Sequence, residues 1–159
     1  FLSFLYLAFI LLLASCGKDD DPNPNDFILG TWTVSDITVD VKVGTKTLVQ
    51  YFVDQGLSQS EAQELADQFT QGFEGGASAE LEFKKDGTYA SKDGSSTESG
   101  KWEMSADAKT LTIDKGTADE SKFTIASHTA TTMRLSNEFQ ESDGGDTFTV
   151  KIDMDLKKK

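Results

Sequence analysis

The sequence predicts an all-β domain: a barrel or sandwich of about eight strands, with one amphipathic helix inserted between early strands. Three observations predict it. From Phe27 onward, apolar residues alternate with polar ones in short runs. The clearest run sets Phe148, Val150, Ile152, Met154 and Leu156 against Thr147, Thr149, Lys151, Asp153 and Asp155. Turn signals such as Lys85-Asp86-Gly87 and Asp143-Gly144-Gly145-Asp146 punctuate the runs, at the spacing of about 8–12 residues that marks barrels and sandwiches. Both prolines, Pro22 and Pro24, precede the domain, so no strand is interrupted. A chain without strand prolines has few means of blunting an open edge, and closure removes the edges altogether. Closing about eight strands leaves an interior just large enough for side chains or one small ligand.

The elements follow in order. Trp32 and Val34 share one parity, and Ile37, Val39, Val41 and Val43 share the other. The switch at Ser35-Asp36 predicts a bulge or sharp bend. Lys42-Val43-Gly44-Thr45-Lys46 reads as a turn into a second strand over residues 47–53. The helix comes next. Ser58 and Glu61 form a capping-box pattern, with Leu57 and Ala62 placed as a weak hydrophobic staple. Ala62, Leu65, Ala66, Phe69 and Phe73 make one apolar stripe on a helix of about four turns, ended by Gly72, Gly75 and Gly76. Hairpins fill the rest. Ala77, Ala79, Leu81 and Phe83 alternate up to the Asp86-Gly87 turn, a strong hairpin signal, and Tyr89 starts the return. A longer turn at residues 93–96 leads to Gly100, Trp102 and Met104. Leu111 and Ile113, Phe123 and Ile125, and Met133 and Leu135 then mark successive strands before the final one.

The N-terminus has another character. Residues 1–13 are almost wholly apolar and close on Leu13-Ala14-Ser15-Cys16. The run is too short for a span, which takes about 20 apolar residues, and has the size of a signal-peptide core followed by small residues. It resembles a bacterial lipobox. That resemblance implies a signal peptide over residues 1–15 and a mature chain starting at a lipidated Cys16. Cys16 is the only cysteine, and acylation gives an otherwise leftover thiol in an exported protein its reason. Gly17-Lys18-Asp19-Asp20 resembles the lipoprotein export signal of Bacteroidetes-type bacteria, in which a Lys and two acidic residues follow the cysteine. With Lys18, Asp19 and Asp20 in those places, the resemblance implies an outer-membrane lipoprotein displayed on the cell surface, with a periplasm-facing orientation as the alternative. Residues 16–26 then form the lipidated cysteine and an acidic flexible tether, reaching on the order of 35 Å at about 3.5 Å per residue. Residues 27–159 form the barrel domain.

A formal net charge of −12, from 15 Lys and Arg against 27 Asp and Glu, argues against nucleic-acid binding and against anionic lipid head groups. The membrane is therefore a partner only through the lipid anchor. Gly30-Thr31-Trp32 at the start of the first strand resembles the opening motif of the lipocalins. Leu81 to Tyr89 with its Lys85-Asp86-Gly87, Ser99-Gly100-Lys101-Trp102-Glu103 and Thr110-Leu111-Thr112-Ile113 are similar in order and spacing to bacterial lipocalin-like lipoproteins. The resemblance implies an antiparallel, mostly up-and-down lipocalin-like β-barrel whose apolar interior has room for a small ligand. The helix departs from the usual lipocalin layout. In fatty-acid-binding proteins a helical insertion near the first strands caps the barrel mouth, which suggests the same role here.

Trp32, Phe83, Tyr89 and Trp102 are the candidate lumen residues, because they sit on alternating apolar faces. The plainer reading is that they fill the core, with Trp32 as a floor plug rather than a ligand contact. Leu65, Phe69 and Phe73 are candidate lid residues, against ordinary packing of one helix on a barrel. His128 stands alone, without a nucleophile motif or metal-ligand spacing around it. The carboxylates of Asp143-Gly-Gly-Asp146 lack the spacing of a calcium loop. No pattern nominates a catalytic residue, a metal or a cofactor. The expected function is therefore a non-enzymatic lipoprotein that binds a small hydrophobic or amphipathic ligand. The alternative is a surface scaffold for protein contacts built on a filled barrel.

Overall fold

The structure is a computed structural model that describes residues 25–74 and 79–159. The signal segment, Cys16, Lys18, Asp19 and Asp20, most of the tether, and Gly75, Gly76 and Ala77 lie outside the described residues.

A 3₁₀ turn, Asp26–Ile28, leads into the long strand β1 (Gly30–Val43), followed by β2 (Lys46–Thr47) and two helices, α1 (Leu48–Asp54) and α2 (Gln59–Glu74). The chain continues through β3 (Glu80–Phe83), β4 (Thr88–Asp93), β5 (Ser96–Met104), β6 (Thr110–Ile113), β7 (Ser121–His128), β8 (Thr132–Asp143) and β9 (Asp146–Lys158). From β3 onward each strand pairs antiparallel with the next. β9 then returns to β1, from Trp32 opposite Lys158 to Val43 opposite Phe148, and β1 also pairs with β3. Eight strands thereby close on themselves as an up-and-down barrel, and the short β2 is attached only to the end of β1.

The register of β1 on β9 shifts between Val34 and Asp36. The bulge lets β1 turn both of its apolar parities inward: Trp32 and Val34 before it, Val41 and Val43 after it, all buried. The turns are as tight as their glycines permit. Asp143 pairs with Asp146, so only Gly144 and Gly145 make that turn, with φ of 60° and 93°. Positive φ at both central positions is the hairpin geometry that glycine adopts most readily. The turn at residues 93–96 is also a two-residue one, because Asp93 pairs with Ser96.

Residues 47–53 do not form the expected second strand. Only Lys46–Thr47 is extended, and Leu48–Asp54 is helical. The Thr47 hydroxyl accepts from the Gln50 amide N–H at 3.2 Å, and the Gln50 side chain accepts from Thr47 N–H at 3.0 Å. This reciprocal cap satisfies two otherwise orphaned donors. Packing then overrides the strand propensity of Val49, Tyr51, Phe52 and Val53: Leu48 is buried against Val41, Val43, Ala66 and Val150. The cap expected at Ser58 is present, with Ser58 N–H donating to Glu61 Oε2 at 3.0 Å and Glu61 N–H donating to Ser58 Oγ at 3.4 Å.

Two apolar clusters organise the barrel. One gathers Ile28, Trp32, Val34, Phe83, Leu111 and Leu135 with their neighbours. The other joins the far end of β1 and the start of β9 to the two helices. The helices thus sit beside one end of the barrel, and the 3₁₀ turn sits at the other.

Candidate functional site

The 3₁₀ turn closes its end of the barrel through Trp32. The indole is 0% exposed, and its Nε1–H donates to Ile28 O at 2.7 Å. Lys158 Nζ lies 5.1 Å from the centre of the indole ring, a cation–π distance, and donates to Phe27 O at 3.2 Å. Gly30 makes this approach possible. Its φ is +110°, and a Cβ there would stand 3.2 Å from Lys158 Cε. The Gly-x-Trp motif is therefore the chemistry of a floor: a backbone turn only glycine makes easily, a buried ring and a cation laid across it. Phe27 stacks on His128 outside this floor, with ring centroids 3.9 Å apart, which accounts for the lone histidine.

Past the floor lies a cavity of about 530 Å³. Val34, Phe83, Leu111 and Leu135 line it on the floor side, and Ile37, Ile152, Met154 and Phe139 continue the apolar wall. Phe73 of α2 reaches it from the helical side. Polar residues gather on one part of the wall: Tyr89 and Ser91 of β4, Glu98 of β5, Asp114 just after β6, Asp119 and Ser121 at the approach to β7, and Asn137 of β8.

On this wall a bridge runs from Tyr89 to Asp114. Tyr89 OH donates to Asp114 Oδ2 at 2.8 Å, and Lys101 N–H donates to Asp114 Oδ1 at 3.1 Å. Asp114 sits at φ 52°, a left-handed conformation that Asp tolerates better than most residues. Gly100, opposite Tyr89 in the β4–β5 ladder, leaves room for both groups. A Cβ on Gly100 would stand 1.9 Å from Asp114 Oδ1 and 2.8 Å from Tyr89 Cε1.

Burial first, then the hydrogen bond to Asp114 and the charges of Asp114, Glu98 and Asp119, push the Tyr89 phenol up to about 12. An unfolded tyrosine titrates near about 10. A group whose folded pKa is raised contributes stability that is whole below the unfolded value and is lost as pH climbs through the folded one. Stability is therefore expected to fall between about pH 10 and about pH 12 through this residue. Tyr89→Phe should flatten that part of the profile, read from urea midpoints of the two proteins across the range.

The sequence-predicted residues divide cleanly. Phe83, Tyr89 and Phe73 line the cavity, and Trp32 and Trp102 do not. Trp102 meets Phe83 edge-on at 5.8 Å and donates from Nε1 to Lys84 O at 3.1 Å, bracing the turn between β3 and β4. Leu65 and Phe69 stand on the outer side of α2, 41% and 39% exposed, while Ala62 and Ala66 are buried. Sequence reasoning passed over Glu98, Asp114, Asp119 and Asn137. Only the Asp114-Lys115-Gly116 turn beside a strand end offered a local signal, and closure alone brings these residues to one wall. Among the described residues, no group of His, Cys, Asp and Glu is arranged to hold a metal ion.

A closed antiparallel barrel with a tryptophan floor and an apolar lumen defines the chain as a lipocalin-type barrel. Residues 28–135 match the lipocalin-like domain family, and the chain belongs to that family. Among solved structures it is similar to a DUF4847-family protein from Bacteroides vulgatus, at 16% identity and a TM-score of 0.35, over 79% of this chain and 92% of that one. No curated protein matches it.

Proposed function

We propose that this is a lipid-anchored binding protein whose lumen holds a small hydrophobic or amphipathic molecule, without catalysis. The observation that carries the reading is the apolar cavity of about 530 Å³, within the range of about 300–1,000 Å³ common for small-ligand sites. A barrel filled by its own side chains would leave no such space. Membership of the lipocalin-like domain family supports the same reading. The test is saturable binding of an environment-sensitive apolar dye to the purified domain, and its displacement by a medium-chain alcohol. One displaceable site per chain is the expected result, and absence of saturable binding would overturn the reading.

The proposal includes the anchor. Acylated Cys16 would hold the barrel at the outer membrane, and Lys18, Asp19 and Asp20 would direct it to the outer face, with the Pro-Asn tether as spacer. Two or more acyl chains give durable anchoring, at about 0.8 kcal/mol per buried CH₂. Cys16→Ala is expected to move the protein from the membrane to the soluble fraction and abolish incorporation of labelled fatty acid; continued membrane association would contradict the anchor. The alternative, a surface for protein partners, is favoured by one observation: the exposure of Leu65 and Phe69 side by side on α2.

A further inference from the structure

We infer that the polar end of the ligand is a cation, so that the lumen takes an alkylammonium-type amphiphile rather than a fatty acid. This rests on the reading of the lumen as a ligand site, and it assigns the chemical class of the occupant.

The inference stands on how charge is distributed over the cavity wall. Among the described residues, its ionisable lining groups are Glu98, Asp114, Asp119 and the Tyr89 phenol, and neither lysine, arginine nor histidine lines it. A carboxylate-bearing ligand entering this space would meet fixed charge of its own sign, with no cation to receive it. An ammonium would meet three acceptors. The carboxylates differ in setting. Glu98 and Asp119 are exposed, while Asp114 is half-buried and held in place by Tyr89 OH and Lys101 N–H. The arrangement is built rather than incidental: Asp114 takes a positive φ, and Gly100 supplies the space its carboxylate occupies. Each Asp114 oxygen receives one donor from the protein, and a carboxylate oxygen has capacity for a second.

Asn137 lines the same cavity, and its Nδ2 donates to Lys122 O at 2.8 Å. Its covered Oδ1 is left without a hydrogen-bond partner. Covered by protein, that oxygen is out of the occupant's reach, and the carboxylates are the acceptors a ligand meets. The Tyr89 phenol, raised first by burial, is raised further by the charges of Asp114, Glu98 and Asp119. The apolar wall from Ile37 to Met154 takes the tail.

Three probes of equal chain length separate the possibilities: decylamine, decanol and decanoate, each below its self-association range, titrated into the full folded domain at low and at high salt. Decylamine is expected to bind about tenfold or more tighter than decanoate, a difference of about 1.4 kcal/mol. The gap should narrow as salt rises, because the two exposed carboxylates are screened. The double variant Glu98→Gln/Asp119→Asn, which leaves the Asp114 bridge intact, should lose several-fold more affinity for decylamine than for decanol. Equal or tighter binding of decanoate would overturn the inference while the lumen reading stands. An unchanged amine preference in the double variant would overturn the assignment to these carboxylates. If decanol and decylamine both fail to bind, the lumen reading itself falls and the inference with it.

Discussion

Trp32→Ala is expected to lower stability by about 3–5 kcal/mol, the usual cost of deleting a fully buried large aromatic. The indole is 0% exposed and is tied to Ile28 O by its Nε1–H. Its removal leaves a void between Ile28 and Lys158, takes the indole N–H away from Ile28 O, and removes the ring under the half-buried Lys158 stem. A domain stable by about 5–15 kcal/mol would lose a large share of its margin, visible as a much earlier urea midpoint. The loss should exceed that of any single exchange on the cavity wall, because wall residues already border empty space. A Trp32→Ala protein unfolding with a near-unchanged midpoint would mean that the floor is not what holds this end of the barrel together.

Gly100→Ala is expected to cost about 1–3 kcal/mol, the range for forcing one extra carbon into a filled space. The backbone of Gly100 is not in the left-handed region, so the effect is steric. The added methyl needs the position of Asp114 Oδ1, 1.9 Å away. Asp114 must withdraw, which breaks its hydrogen bonds to Tyr89 OH and Lys101 N–H. The phenol then loses a charged neighbour, and its titration should move back toward the ordinary tyrosine range, measurable by ultraviolet absorbance. Loss of stability without any change in the phenol would show that Asp114 adjusts without releasing Tyr89.

Much of the fold was legible because its elements follow local rules. The alternation from Phe148 to Leu156 needs no partner to be read, and it became β9. Turn glycines such as Gly87, Gly94 and Gly144 mark the hairpins, and the parity switch at Ser35-Asp36 became the bulge. Residues 47–53 misled because a β-branched and aromatic run has the composition of a strand. The Thr47–Gln50 cap, and a second apolar surface for Leu48 made by residues more than a hundred positions away such as Val150, turn it into a helix instead. The site was less legible for a similar reason. Phe83 and Tyr89 were reachable from alternation alone. Trp102 shares that pattern, yet it braces a turn, because its position along the strand and not its parity decides whether it meets the cavity. Glu98, Asp114, Asp119 and Asn137 come from four separate places in the sequence, and no spacing relates them before the barrel closes.

The claim that the lumen is the binding site is tested most directly by isoleucine methyl NMR, with decanol or decylamine titrated to saturation. Ile37, Ile113 and Ile152 line the cavity, and Ile28 is packed beneath the Trp32 floor. Large, saturable shifts are expected at Ile37, Ile113 and Ile152 with one common affinity, and a small response at Ile28. Saturable binding that leaves those three methyls unmoved and perturbs the surface around Leu65 and Phe69 would contradict that claim.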